Sequence, residues 1–286
     1  MNEEAPKLRF GKRGRPSKEA VAAAKAAVAQ REGPKRTDAE LLEAIKQRFA
    51  MLRELAEACG RGQVPSLIIP GAPGIGKSYT VMDVLDSLDF KYKRITGGIS
   101  AVELYALGFH HKAKGDIIFI DDSDMVFRDE DTMNILKAMT DSSRQRIVSW
   151  QKQNRELADD NVDPEYNFRG SIIFASNLDF QRVVDEKSNK FVPHMEALIS
   201  RAYYMDLLVH TRRALSLWIN YICTEGKMFE KEDVDAATGK VILAWLHDHQ
   251  AVLREYSLRT VHKVCALTKL HGKSNWQTLA EGTLCR

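Results

Sequence analysis

Apolar residues recur along this chain with two different periods, and the switch between them divides it. Behind the capping box Thr37-Asp38-Ala39-Glu40, residues Leu41, Leu42, Ile45, Phe49, Leu52 and Leu55 follow at helical spacing until Gly60 and Gly62 interrupt. That spacing predicts an amphipathic helix packed on the domain that follows. Short, nearly continuous apolar runs then alternate with helical patterns. The runs at 64–70, 116–121 and 168–175 read as buried strands, and 90–96, 146–152 and 202–208 as further strands. Helices are expected over 78–88, 100–110, 131–139 and 193–200, while 155–167 is polar and irregular. From Thr211 onward only the helical period remains, over about 211–223, 233–249, 257–270 and 274–282. An alternating strand and helix region followed by helices alone implies an α/β unit with a helical appendage.

Between the run at 64–70 and the helix at 78–88 lies Gly71-Ala72-Pro73-Gly74-Ile75-Gly76-Lys77-Ser78, which satisfies G-x-x-x-x-G-K-[ST] at every fixed position. Strand, glycine loop and helix are what phosphate binding needs. Glycines let consecutive backbone N–H groups curl around phosphate oxygens, and the helix N-terminus adds its positive dipole end. Lys77 would reach the β and γ phosphates of ATP, and Ser78 would offer its hydroxyl to Mg²⁺. Gly71, Gly74, Ile75, Gly76, Lys77, Ser78 and Tyr79 are therefore the expected nucleotide contacts.

A second decisive run is Asp116-Ile117-Ile118-Phe119-Ile120-Asp121-Asp122-Ser123-Asp124. Four apolar residues ending in acids describe a buried strand whose carboxyl end delivers carboxylates to the site. Asp121 is the expected metal-side acid. Asp122 is the expected group that orients or deprotonates the attacking water. Asp124 reads best as the cap of the following helix, with a site role in reserve. The run at 168–175 ends at Ser176-Asn177, which puts Asn177 where a γ-phosphate or its water can be contacted. Ser257 caps a later helix and places Arg259 in its first turn, where a cation opposes the helix dipole and wants an anion nearby.

Charge adds one feature that periodicity does not show. The formal net charge is +3, yet residues 1–36 carry ten Lys and Arg against four Glu, a net of +6 that leaves −3 on the rest. Within that arm, Lys12-Arg13-Gly14-Arg15-Pro16 resembles an AT-hook. Two guanidinium groups on an extended path fit the floor of a narrow minor groove, so Lys12, Arg13, Gly14 and Arg15 are candidate DNA contacts. Residues 18–31 have high helix propensity but only Ala and Val for an apolar face. The four cysteines show no metal-ligand spacing and read as reduced thiols, two of them packed inside helices. No apolar run approaches membrane-helix length, and the expected location is cytoplasmic.

With these residues in place, the chain from 37 to 286 resembles an AAA+ ATPase: a five-stranded parallel P-loop NTPase domain with a C-terminal helical lid. Three parts are expected: the basic DNA-binding arm at 1–36 read from charge and, by the resemblance, a nucleotide-binding domain at 37–209 and a lid at 210–286. The resemblance makes Gly71 to Ser78 the Walker A loop, Asp121 and Asp122 the Walker B pair, and Asn177 the first sensor. By the same resemblance Arg201 is the arginine finger and Arg259 the lid sensor, with ATP and Mg²⁺ as cofactors. A finger at a domain edge serves a neighbour's nucleotide, which implies a ring or helical homo-oligomer. The strand at 146–152 paired with 168–175 resembles the hairpin of DNA-handling branches. The Asp-Asp ending is similar to that of viral superfamily 3 helicases, which points to a phage or plasmid origin and a host cytoplasm.

The favoured reading is thus an ATP-hydrolysing motor or switch on DNA, of helicase, helicase-loader or replication type, with a replication protein as partner. Two alternatives stand beside it. A protein-remodelling ATPase would thread substrate with an aromatic loop after the second strand, and here that loop reads Gly97-Gly98-Ile99-Ser100. A slow nucleotide switch is suggested by Asp122, one methylene shorter than the glutamate many relatives carry.

Overall fold

Five parallel strands in the order β2-β3-β6-β1-β7 form the central layer of the computed structural model, which describes residues 36–152, 154–186, 191–271 and 275–286. The strands are β1 (Ser66–Pro70), β2 (Tyr92–Thr96), β3 (Ile117–Asp121), β6 (Ser171–Ser176) and β7 (Tyr203–Tyr204). Because side chains alternate across a strand, each central strand feeds two cores. Ile68, Ile118, Ile120, Ile172 and Phe174 face one side, under α3 (Ala101–His110), α4 (Glu130–Met139) and α7 (Val192–Arg201). Leu67, Ile69, Ile117, Phe119 and Ile173 face the other, under α1 (Asp38–Gly60), α2 (Lys77–Ser87) and α8 (Arg212–Cys223). This is the AAA+ P-loop NTPase fold anticipated above.

The first helix starts as its capping box requires. Glu40 donates its backbone N–H to Thr37 Oγ1 at 3.3 Å, and Thr37 returns its own to Glu40 Oε2 at 2.8 Å. Its apolar stripe, Leu41, Ile45, Phe49, Leu52, Ala56 and Cys59, is buried. A third core forms among the C-terminal helices α8, α9 (Met228–Lys231), α10 (Ala236–His249), α11 (Leu258–His271) and α12 (Trp276–Leu284) around Ile242, Trp245, Val261 and Trp276.

The structure corrects several expectations. The strand at 146–152 does not pair with 168–175. Its core, β4 (Ile147–Ser149), pairs antiparallel with β5 (Glu165–Asn167), inside the segment read as irregular. The physical reason is burial: Ser171 to Ser176 is covered on both faces and lies mid-sheet between β3 and β1, whereas β4 buries only Val148 and stays outside the main sheet. The strand at 202–208 contracts to Tyr203–Tyr204, since Leu208 turns back with φ +60° and donates its N–H to Asp206. The helix expected from 233 begins at Ala236, with Asp235 accepting from the N–H groups of Ala237 and Thr238. Asp124 does not cap α4. Asp129 does, while Asp124 opens a short 3₁₀ turn (Asp124–Arg128) and accepts the Ser176 hydroxyl at 2.6 Å. Three cysteines are buried rather than two: Cys59, Cys223 and Cys265, all free. The arm residues Lys12, Arg13, Gly14 and Arg15 and the helix expected at 18–31 lie outside the described residues.

Candidate functional site

At the carboxyl end of β1 the chain enters the glycine loop with φ +145° at Gly71, +72° at Gly74 and +101° at Gly76, values open to glycine and strained for other residues. Gly74 has a second constraint. A Cβ there would lie 2.7 Å from Ser257 at the start of α11, where the Gly74 carbonyl already accepts the Leu258 N–H at 3.0 Å. Loop and C-terminal helices therefore touch through bare backbone. The loop wraps one wall of a cavity of about 700 Å³. Residues 73–80, Asp122, Asn177 and Arg259 line it, together with Phe49, Trp218, Tyr221 and His262.

Lys77 is 5% exposed and folds back onto the loop, donating to the carbonyls of Gly71 at 2.5 Å and Ala72 at 3.0 Å and to Asn177 Oδ1 at 3.0 Å. Burial lowers its pKa from 10.5 to about 8, against the opposing pull of Asp122, Asp121 and Asp124. Asn177 Nδ2 donates to Asp122 Oδ1 at 2.7 Å, and Arg259 Nη2 donates to Asp122 Oδ2 at 3.5 Å. Lys77, Asn177, Asp122 and Arg259 thus form one chain of polar contacts drawn from four separate elements.

Asp122 itself adopts φ +51°, an uncommon conformation for a side chain-bearing residue, held by its N–H on the Ala175 carbonyl at 3.0 Å. That turn aims its carboxylate at the loop. One residue earlier, Asp121 is 2% exposed and accepts the Ser78 hydroxyl on Oδ1 at 2.5 Å. Its Oδ2 accepts Arg94 Nε at 2.9 Å and Nη2 at 2.5 Å. Ser78 and Asp121 offer hard oxygen donors, the set that suits Mg²⁺.

No family model matches the sequence. A curated relative does: an uncharacterized 36.7 kDa protein encoded in the nrdC-mobD intergenic region of Enterobacteria phage T4 is 32% identical over 242 residues, 83% of this chain and 74% of that one. The chain belongs to this phage protein's family. A phage relative agrees with the origin expected from the sequence. Among solved structures, a point mutant of Thermotoga maritima RuvB superposes with a TM-score of 0.50 at 13% identity, covering 84% of this chain and 69% of that chain. The T. maritima RuvB Holliday junction branch migration motor gives 0.48 at 14% identity, over 84% and 68% of the two chains. At such identities the likeness concerns the fold, and RuvB shares the five-stranded AAA+ architecture of this phage-family protein.

Of the residues singled out from sequence, the structure brings Gly71, Gly74, Ile75, Gly76, Lys77, Ser78, Asp121, Asp122, Asn177 and Arg259 together. Tyr79 lies at the cavity with its hydroxyl accepting from Lys231 at 2.8 Å. Arg201 stands apart at the end of α7, 3.6 Å from Asp141 and donating to its own helix at the Ala197 carbonyl. Sequence reasoning missed Arg94, because the register that sets β2 beside β3, Thr96 opposite Asp121, is written in neither strand alone. It also missed Trp218, which stacks on Phe49 with ring centroids 4.1 Å apart and donates its Nε1–H to the Ile75 carbonyl at 2.9 Å. Among the described residues no helix is long and apolar enough to cross a membrane.

Proposed function

We propose that this phage-family protein binds ATP with Mg²⁺ at residues 71–78, hydrolyses it, and works as an oligomeric AAA+ motor or switch on DNA. The observation that carries the ATP reading is the linked set Lys77, Asn177, Asp122 and Arg259. A turn that merely connected a strand to a helix would have no need for four convergent polar groups from distant parts of the chain.

Each group has a task that its position supports. The loop N–H groups and the N-terminal end of α2 cradle phosphate, and Lys77 leaves its loop carbonyls to pair with the β and γ oxygens. Mg²⁺, held on the Ser78 and Asp121 side, supplies charge neutralisation for the phosphates. Asp122 orients water, Asn177 fixes Asp122 and meets the γ-phosphate, and Arg259 brings the helical lid onto the nucleotide. Arg201, which does not line its own cavity, acts as the finger for a neighbouring subunit, which makes the working unit a ring or helical homo-oligomer. The DNA reading rests on the arm with Lys12, Arg13, Gly14 and Arg15, and it extends to replication or helicase-type work with a replication protein as partner. The division into 1–36, 37–209 and 210–286 and a host-cytoplasmic location are parts of the same proposal.

One observation favours a slower device. Both oxygens of Asp122 are engaged, by Asn177 and Arg259, so the residue that must meet water starts out occupied. The test is the ATPase rate with and without single- and double-stranded DNA at two salt concentrations, on the whole chain and on a chain lacking residues 1–36. DNA-stimulated hydrolysis that declines on removal of the arm is expected. Binding without turnover would leave the switch, and turnover without DNA binding by either protein would shift the reading to protein remodelling.

A further inference from the structure

The carboxylate best placed to serve the metal already has a cation. Asp121 sits at the end of a buried strand with 3% of its side chain exposed, and two N–H groups of Arg94 converge on its Oδ2 while the Ser78 hydroxyl holds Oδ1. A buried carboxylate with no counter-charge is costly, so some cation belongs there whenever the protein is folded. Arg94 supplies it from the edge strand. Elsewhere in that strand Lys93 and Thr96 are exposed and only Ile95 is buried, and the Arg94 side chain itself is 40% exposed. One end of this ion pair lies in the core and the other reaches solvent at the edge of the sheet.

We propose that Arg94 is the resident counter-cation of Asp121, holding Oδ2 in the nucleotide-free protein and yielding it when Mg²⁺ arrives with nucleotide. The proposal rests on the ATP reading above. It makes Arg94 a positioning residue with two consequences. The acid is held oriented toward Ser78 before any metal comes, and the metal must compete with a guanidinium for one of the two oxygens. A residue that only pinned β2 to β3 would impose the first effect without the second.

The experiment uses the whole chain and Arg94→Gln, with binding of a fluorescent ATP analogue followed as Mg²⁺ is titrated. The competing charge being gone, the Mg²⁺ concentration at half-maximal enhancement is expected to fall several-fold, and Arg94→Lys, which keeps one charge but not the fork, should lie between. A midpoint that is unchanged or higher in Arg94→Gln overturns the competition. Melting of the nucleotide-free proteins tests the pairing separately: Arg94→Gln should melt lower than the parent, and adding Asp121→Asn should recover part of the loss by removing the stranded charge. Strictly additive losses overturn the counter-cation role even if nucleotide binds normally. Failure of the unaltered protein to bind the analogue at any Mg²⁺ concentration would instead remove the ATP reading, and the competition with it, while leaving the melting cycle to judge the pair.

Discussion

Arg259, in the first turn of α11, reaches across the cavity to Asp122 with its Nη2 3.5 Å from Oδ2. Both side chains are about half exposed, at 54% and 41%, so solvent screens the pair. It joins the C-terminal helices to the strand end that bears the acids without anchoring either. Arg259→Ala is therefore expected to change global stability by no more than ~1 kcal/mol, as for other exposed ion pairs. Nucleotide affinity, by contrast, should fall several-fold. Thermal melts and a nucleotide titration on the same variant separate the two, and a large melting loss with unchanged affinity would contradict the assigned role.

Lys77 carries a pH signature. With its pKa lowered from 10.5 to about 8 by burial, the lysine is charged below pH 8 and progressively neutral above it. Nucleotide affinity should accordingly decline as pH rises through 8, with proton uptake on binding visible as buffer-dependent heat in calorimetry. The linkage for folding runs the other way. Between about 8 and 10.5 the unfolded chain holds more protons at this site than the native one, so this lysine's contribution makes the nucleotide-free protein more stable as pH rises through that window. Absence of both trends in the parent, or their persistence in Lys77→Met, would sink the assignment.

Arg201 and Asp122 give a test of shared sites. Arg201→Ala should bind ATP and hydrolyse it poorly, by a factor on the order of 10³–10⁵ if it is a finger. Asp122→Asn should also bind and stall. Mixing the two proteins should restore part of the activity by pairing an intact finger with an intact acid, and a flat response at every ratio would mean that each site is complete within one chain.

Gly74→Ala probes the contact between the glycine loop and the start of α11. The added methyl meets Ser257 at 2.7 Å with the backbone at φ +72°, so both strain and collision act together. A loss of about 1–3 kcal/mol in denaturant unfolding is expected, along with weaker nucleotide binding as α11 is pushed off the loop. A variant that melts like the parent would mean that α11 does not rest on Gly74.

Much of this was legible in the residues themselves. The loop from Gly71 to Ser78 and the acids after Ile120 are local patterns whose chemistry fixes their context, and both stand where expected. The capping box at Thr37 likewise sets a helix start at Asp38. What escaped depended on partners distant in sequence. Val148 and Tyr166 form one cross-strand pair of a ribbon that no periodicity over three residues can announce. Arg94 meets Asp121 only through the register of β2 on β3. Asp124 looked like a cap because acids before helices usually are, but Ser176, 52 positions away, claims its oxygen.

The stack of Trp218 on Phe49 bears on how the cavity can change shape. Helix α8 gives Ala214 and Trp218 to the core beneath the sheet and Ile219 and Cys223 to the core of the C-terminal helices, while Trp218 also holds the Ile75 carbonyl. A helix held on one side by the glycine loop and on the other by the C-terminal helices is a shared axle, and Arg259 is tied to the same loop at its root by the Leu258 N–H on the Gly74 carbonyl. A chain ended at residue 209 would lose that axle along with the C-terminal helices, and with it one wall of the glycine loop.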